Sequence, residues 1–120
     1  MREHCQRGEK CPMVLVQKTM WGKWKLLILW YLNYNVMRFG ELRKILSHVT
    51  EKMLTQHLRE LEESKLIYRK VYPVVPPKVE YGLTEMGKKL IPILELMHKF
   101  GAEYLAEANN KEVATHPEVE

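Results

Sequence analysis

Four residues in the middle of the chain have side chains that can read the edges of nucleic-acid bases. Lys52, Thr55, Gln56 and Arg59 follow one another at spacings of three, one and three, which places them on one face of a helix. Lysine and arginine can donate to guanine, glutamine can bond adenine through both amide atoms, and threonine can contact a thymine methyl group or a phosphate. The alternative is an ordinary solvated helix face.

Three further cations lie around a proline-rich segment that the pattern predicts to be the tip of a β-hairpin. They are Arg69, Lys70 and Lys78, and the intervening prolines would hold the tip extended. Such cations could reach the minor groove or the flanking phosphates of a duplex. Alternatively, they could simply keep the edge of the hairpin soluble.

Two more cations, Arg38 and Lys23, lie at predicted helix starts. Backbone donors point outward at a helix start and favour an anion such as a phosphate oxygen, so both residues are candidates for contacts with a nucleic-acid backbone. Their side chains could equally pack over the neighbouring Phe39 and Trp24.

Cys11 is the residue with the clearest potential for redox chemistry. It directly precedes Pro12 at a predicted helix start, where amide donors and the helix dipole would stabilise a thiolate. The alternative is a buried, inert cysteine that acts as a small hydrophobic residue. His4, Cys5 and Cys11 lack a fourth ligand at any recognised zinc spacing, so we predict no metal site and no cofactor.

No group of residues resembles the catalytic machinery of an enzyme. The chain contains no aspartate to orient His48 or His57, and no clear serine or cysteine nucleophile accompanies them. There is also no glycine-rich phosphate loop. We therefore expect a protein that is not an enzyme, with His57 at the edge of the core or near DNA.

The apolar spacing predicts two short helices joined by a tight connection. The second begins with Thr50 as its N-cap and runs to about Glu63. Only three residues separate Leu46 from Thr50, which is the connection length of a helix-turn-helix. The buried faces are expected from Phe39, Leu42, Ile45 and Leu46 in the first helix and from Leu54, Leu58 and Leu61 in the second.

The remaining elements are predicted from changes in the period of the apolar residues. The dense run in Lys23–Tyr34 predicts a helix buried on most sides. Leu66–Tyr72 and residues 78–83 read as two strands joined by the stiff loop Pro73–Pro77, which together form a wing. A last helix, capped by Thr84, continues to Leu105. Its apolar stripe is wider than one small domain can cover, so we expect part of it to pack against a second subunit.

The distribution of charge also favours a polyanionic partner. The 120 residues include 19 Lys and Arg against 15 acidic residues, which gives a net charge of +4. Residues 1–90 carry 17 Lys or Arg and 9 Glu, whereas residues 91–120 carry 2 Lys and 6 Glu. A basic body attracts nucleic acid, although an anionic membrane surface is an alternative.

The chain is long enough for one compact domain. We expect a flexible arm at residues 1–10, a single domain over residues 11–108 and a disordered acidic tail at residues 109–120. The longest apolar run, Leu26–Leu32, has 7 residues, far fewer than the ~18 of a membrane span. The start of the chain is polar and does not resemble a signal peptide, so we expect no membrane partner and a cytoplasmic location.

Several different short motifs follow one another at close spacing along the chain. They are Cys11–Pro12, Gly22–Lys23–Trp24, Arg38–Phe39 with Glu41–Leu42, Met53–Leu54–Thr55–Gln56 with Leu58, Arg59 and Leu61, Pro76–Pro77, Val79–Glu80–Tyr81, and Leu83–Thr84 with Gly87. Each motif is weak alone, but together they are specific. Over roughly Cys11–Leu105 the chain resembles the HxlR-type winged helix-turn-helix regulators of bacteria and archaea.

The resemblance implies sequence-specific control of transcription by a homodimer. The first and last helices would pair across a two-fold axis and present two recognition helices to successive major grooves of a palindromic site. Some family members respond to electrophiles or oxidants through a cysteine at the position of Cys11. One departure is Lys65, which stands where the family usually has glycine; a left-handed conformation there would cost ~1 kcal/mol.

The sequence as a whole predicts an α+β fold that is mostly α, a winged helix-turn-helix with a β-hairpin wing and N- and C-terminal dimerisation helices. The predicted partners are double-stranded DNA and a second copy of the chain, with the identity of any small-molecule effector left open. One alternative is a winged helix that binds a protein partner without specific DNA binding. A second is a thiol redox protein built on Cys5 and Cys11.

Overall fold

The computed structural model describes residues 11–20 and 22–110. They form two compact units, the first ending at Lys89 and the second beginning at Leu90. The predicted arm at residues 1–10 lies outside the described residues, as does the predicted tail beyond Asn110. The elements are α1 (Pro12–Met20), α2 (Lys25–Tyr34), β1 (Met37–Arg38), α3 (Phe39–Ile45), α4 (Glu51–Glu63), β2 (Ile67–Tyr72), β3 (Lys78–Leu83), α5 (Glu85–Lys88) and α6 (Ile91–Asn110).

The helix α2 contributes Ile28, Leu29 and Leu32 to the core of the first unit. It begins two residues later than the predicted start at Lys23, because Gly22 has a φ of 140° and the chain makes a turn before the helix. The residue just before the apolar run, Lys25, is a buried cation that the sequence did not predict.

The predicted helix-turn-helix is present as α3 and α4. The hydroxyl of Thr50 accepts a hydrogen bond from the backbone N–H of Met53 at 3.1 Å, so Thr50 caps α4 as expected. The predicted stripe of Leu54, Leu58 and Leu61 is buried, and this burial sets the rotation of α4 about its own axis. The opposite face of α4 therefore points to solvent.

The wing is a three-stranded antiparallel sheet with strand order β1-β3-β2. The hairpin strands pair from Ile67 opposite Leu83 to Tyr72 opposite Lys78, and the proline-rich loop joins them as predicted. The third strand, β1, pairs Met37 with Tyr81 and was not predicted, because two residues are too few to show a period. The face of the sheet that turns to the core carries Met37, Ile67, Tyr81 and Leu83.

Lys65 adopts the left-handed conformation, with a φ of 64°, at the junction between α4 and β2. Thr84 holds this junction, since its Oγ1 lies 2.7 Å from the carbonyl oxygen of Lys65 and 3.1 Å from that of Leu66. The same oxygen accepts the backbone N–H of Gly87 at 3.0 Å. A Cβ at Gly87 would overlap the Leu66 carbonyl oxygen, so the close approach requires glycine there.

The segment after Thr84 differs from the single long helix that the sequence predicted. Thr84 caps the short α5, which ends at Lys88, and α6 begins separately at Ile91. Pro92 lies in the first turn of α6, where a missing N–H breaks no helical hydrogen bond, so it does not kink the helix. None of the helices in the described ranges is both long and apolar enough to cross a bilayer.

Candidate nucleic-acid interface

The four candidate base readers lie on the exposed side of α4. Lys52, Gln56 and Arg59 are exposed, whereas Thr55 is half-buried at the margin of the leucine stripe. The arrangement follows from the buried leucines, because a helix that buries one face must present the opposite face to solvent. Three long polar side chains thus extend from one helix face, with Thr55 beside them.

The amide of Gln56 is already engaged by a neighbour on α4. Its Nε2 donates to Glu60 Oε2 at 2.8 Å, and the other oxygen, Glu60 Oε1, lies 2.8 Å from the ammonium of Lys25 on α2. The side chain of Lys25 is only 6% exposed and that of Glu60 is 37% exposed. A buried cation in the core is therefore linked through one carboxylate to a residue on the exposed face.

Lys25 and Glu60 were not among the residues that the sequence predicted for the site. Lys25 stands at the start of a run of apolar residues, and a buried lysine almost always has a partner. That rule could have pointed to a carboxylate elsewhere in the chain. It could not have selected Glu60 among the glutamates, because the pair joins two helices that are distant in sequence.

His57 lies next to this ion pair and is also buried. Its Nδ1 is 3.8 Å from Glu60 Oε1, which is too long for a hydrogen bond. Burial lowers the pKa of His57 below its ordinary value of 6.5; the Glu60 carboxylate opposes this shift and the Lys25 ammonium adds to it. His57 is thus neutral in the folded protein at neutral pH and is part of the core.

The carboxylate of Glu60 is ionised in this arrangement. The hydrogen bond from Gln56 and the hydrogen bond and charge of Lys25 hold the pKa of Glu60 below its ordinary value of 4.5. An ionised carboxylate can only accept hydrogen bonds. Glu60 therefore acts as an acceptor toward both Lys25 and Gln56.

The wing cations divide between the two faces of the sheet. Lys70 and Lys78 lie on the face turned away from the core, and each Nζ is 4.9 Å from the centroid of the Tyr72 ring. Arg69 alternates with Lys70 and so belongs to the core-side face, although it is exposed. The wing thus presents two cations together and a third on its other side.

Glu80 forms an ion pair with one of the two wing lysines, Lys78. Its Oε2 lies 3.5 Å from Lys78 Nζ, and its Oε1 accepts the Tyr72 hydroxyl at 2.9 Å. The Tyr72 hydroxyl, followed by the Lys78 ammonium, lowers the pKa of Glu80. The Tyr72 ring therefore contacts both lysines, whereas Glu80 pairs with Lys78 alone. Neither Tyr72 nor Glu80 was a sequence candidate.

The cations at the helix starts have different surroundings. Arg38 is the N-cap of α3, and its backbone N–H donates to Glu41 Oε1 at 2.8 Å while its side chain remains exposed. Lys23 precedes α2, and its Nζ lies 5.1 Å from the centroid of the Trp24 ring. The lysine thus packs over an aromatic ring, as one of the two sequence interpretations proposed.

Cys11 is buried, with 1% of its surface exposed, immediately before α1. Its carbonyl oxygen accepts the backbone N–H of Leu15 at 3.1 Å, which ties it to the first turn of the helix. An oxidant would reach the thiol only after the start of α1 moved. Cys5, the other cysteine, lies outside the described residues.

The fold and the sequence are similar to those of known regulators. Residues 19–109 match the HxlR-like helix-turn-helix family. The MalR protein of Fusobacterium mortiferum, whose name describes a regulatory protein, is 52% identical over 95 residues, which cover 78% of this chain and 90% of MalR. The solved structure of the redox regulator HypR in its oxidized form is 42% identical with a TM-score of 0.74, covering 78% of this chain and 96% of HypR. The solved structure of the HTH-type regulator YtcD is 42% identical with a TM-score of 0.77, covering 79% of this chain and 97% of YtcD.

Proposed function

This chain belongs to the HxlR-like helix-turn-helix family, and we propose that it regulates transcription by binding specific sequences of double-stranded DNA as a homodimer. The observation that carries the proposal is the face of α4 within the helix-turn-helix. Lys52, Gln56 and Arg59 project from that face, and the buried leucines hold it outward. The second helix of this motif is the one that enters the major groove in helix-turn-helix proteins.

The contacts of the α4 face and of the wing would differ in kind. Lys52, Thr55, Gln56 and Arg59 have the donors and acceptors that distinguish base pairs in the major groove. The cations at the wing and the helix starts would bind phosphates or enter the minor groove, which supplies affinity and orientation without base selectivity. These backbone contacts are proposed for Lys23, Arg38, Arg69, Lys70 and Lys78.

A homodimer is supported by the apolar residues that α6 leaves exposed. Ile93, Leu96, Phe100, Tyr104 and Leu105 are each at least half exposed along the helix. A water-soluble monomer rarely presents so many large apolar side chains on one helix, and pairing with a second copy would cover them. Two copies related by a two-fold axis would place two α4 helices about 34 Å apart, or a multiple of that distance, on a palindromic site.

Redox control through Cys11 is a second proposal. Its support is the similarity to HypR, which is named a redox regulator, together with the place of Cys11 directly before Pro12 at the start of α1. Oxidation of the thiol by peroxide should shift the affinity of the protein for DNA. A Cys11→Ser protein should bind DNA equally well with and without peroxide. If peroxide still shifts the DNA affinity of that variant as it does for the unaltered protein, Cys11 is not part of the mechanism.

The proposed function is tested by in vitro selection of the reduced protein against genomic fragments at two salt concentrations. We expect recovery of a two-fold symmetric sequence whose binding weakens steeply with salt, because phosphate contacts release counterions. Salt-sensitive binding without a shared sequence would refute specific recognition. Absence of binding at either salt would favour the alternative of a winged helix that binds a protein partner.

A further inference from the structure

We infer that Glu60 sets the polarity of the Gln56 amide, so that Gln56 offers its carbonyl oxygen to a base that carries an amino group in the major groove, adenine above all. Glu60 is in this view a positioning residue that acts through Gln56. The inference rests on the proposed function, because it requires α4 to enter the major groove.

The carboxylate of Glu60 is held in place by the core of the protein. Its Oε1 lies 2.8 Å from the ammonium of Lys25, whose side chain is 6% exposed and belongs to α2. A buried side chain has lost most of its rotamers, so its ammonium forms a fixed point. The second carboxylate oxygen, Oε2, therefore has a defined position at the edge of the exposed face of α4.

This anchoring distinguishes Glu60 from an ordinary surface glutamate. An ordinary surface ion pair is the one between Lys88 and Glu85, which joins residues three positions apart at 3.4 Å. Its two side chains are 57% and 92% exposed. Such exposed pairs exchange readily with water and hold no fixed geometry. The link from Lys25 through Glu60 to Gln56 instead begins in the core and ends on the α4 face.

The chemistry of the contact determines which end of the amide faces Glu60. An ionised carboxylate only accepts hydrogen bonds, so the group 2.8 Å from Oε2 must be the NH₂ of Gln56. The opposite orientation would bring two acceptor oxygens together without a proton between them. The Gln56 amide consequently keeps its carbonyl oxygen and its second N–H for another partner.

These remaining groups match adenine. Its N6 amino group can donate to the Gln56 carbonyl oxygen while its N7 accepts the second N–H, which forms a bidentate pair. Cytosine offers only the N4 donor, and guanine and thymine present acceptors where the carbonyl oxygen would lie. A Gln56 amide free to turn would lose this discrimination against guanine and thymine.

The test compares the unaltered protein with three variants, on the selected operator and on versions of it that carry each of the other bases at every position. Gln56→Ala identifies the base pair that Gln56 reads, and we expect it to reduce the preference for adenine there about tenfold. Lys25→Met/Glu60→Ala removes the anchor without leaving a buried cation, and it should relax the choice of adenine over guanine at the same base pair by a similar factor. In the Gln56→Ala background the same pair of changes should have no further effect on that preference.

Two further variants separate a positioning role from a structural one. Glu63→Ala removes an exposed glutamate from the same helix and should leave every base preference unchanged. Lys25→Met alone keeps the carboxylate but frees it from its anchor, so it should relax the same preference by a smaller factor. A general loss of folding would lower binding to all sequences alike, whereas the inference predicts a change at one base pair.

The outcomes distinguish the inference from the proposed function. If Gln56→Ala changes no base preference, Gln56 does not read a base and that part of the proposed function is wrong. If Gln56→Ala changes the preference but both Lys25→Met and Lys25→Met/Glu60→Ala retain it, the orienting role of Glu60 is overturned while DNA recognition by α4 stands.

Discussion

The ion pair between Lys25 and Glu60 should respond unequally to the removal of its two members. Glu60→Ala would leave the ammonium of Lys25 in the core, where its side chain is 6% exposed. Removing one partner of a buried pair costs about 3–5 kcal/mol, and because Glu60 itself is 37% exposed we expect a value near the lower end, about 3 kcal/mol. Lys25→Met would instead leave a carboxylate that water still reaches and should cost no more than about 1 kcal/mol.

Urea denaturation at one fixed protein concentration measures this difference, since the stability of a dimer depends on concentration. With a slope of roughly 1.5–2 kcal/mol per M, Glu60→Ala should lower the midpoint by about 1.5–2 M. The double variant Lys25→Met/Glu60→Ala should unfold near the midpoint of Lys25→Met, because no unpaired cation remains buried. Glu63→Ala is the matched control and should change stability by less than about 0.5 kcal/mol. If Lys25→Met costs as much as Glu60→Ala, the reasoning is wrong.

Three other predictions concern stability and assembly. Because burial lowers the pKa of His57, the unfolded chain takes up a proton near pH 6.5 while the folded protein does not, so stability should fall as the pH drops below that value. His57→Gln should flatten the decline between pH 7 and pH 5.5, measured by urea denaturation; an equal decline would contradict a neutral His57. Gly87→Ala should lower the free energy of unfolding by about 2–3 kcal/mol, because the added Cβ would overlap the Leu66 carbonyl oxygen. The control is Gly40→Ala, whose added Cβ would have no atom within 4 Å, and it should be neutral or stabilising in the same assay. Phe100→Glu should shift the protein from dimer to monomer in sedimentation velocity, with Lys99→Glu as the control, and a persistent dimer would exclude this part of α6 from the interface.

The elements that are determined by residues close to them in sequence were predictable. Thr50 and the leucine spacing predicted the limits of α4, and the prolines of the loop predicted where the hairpin strands end. Lys65 has the left-handed conformation that the family resemblance raised as one of two possibilities. In each case the determining residues lie within a few positions of the feature they determine.

The features that depend on distant residues were not predictable in this way. The strand β1 exists because β3 pairs with it, and α5 ends at Lys88 although the apolar pattern continues into α6. The link between Lys25 and Glu60 joins two helices, and no spacing within either helix encodes it.

The division between base reading by α4 and backbone contact by the wing is the central claim, and one binding series tests it directly. The affinities of the unaltered protein, Arg59→Ala and Lys78→Ala are measured over a range of salt on the selected operator and its single-base variants. Arg59→Ala should cost about 1–3 kcal/mol on the operator and relax the preference at one base pair. Lys78→Ala should weaken binding to every sequence alike and reduce the salt slope by about one. Equal losses on every sequence for both variants would contradict the claim.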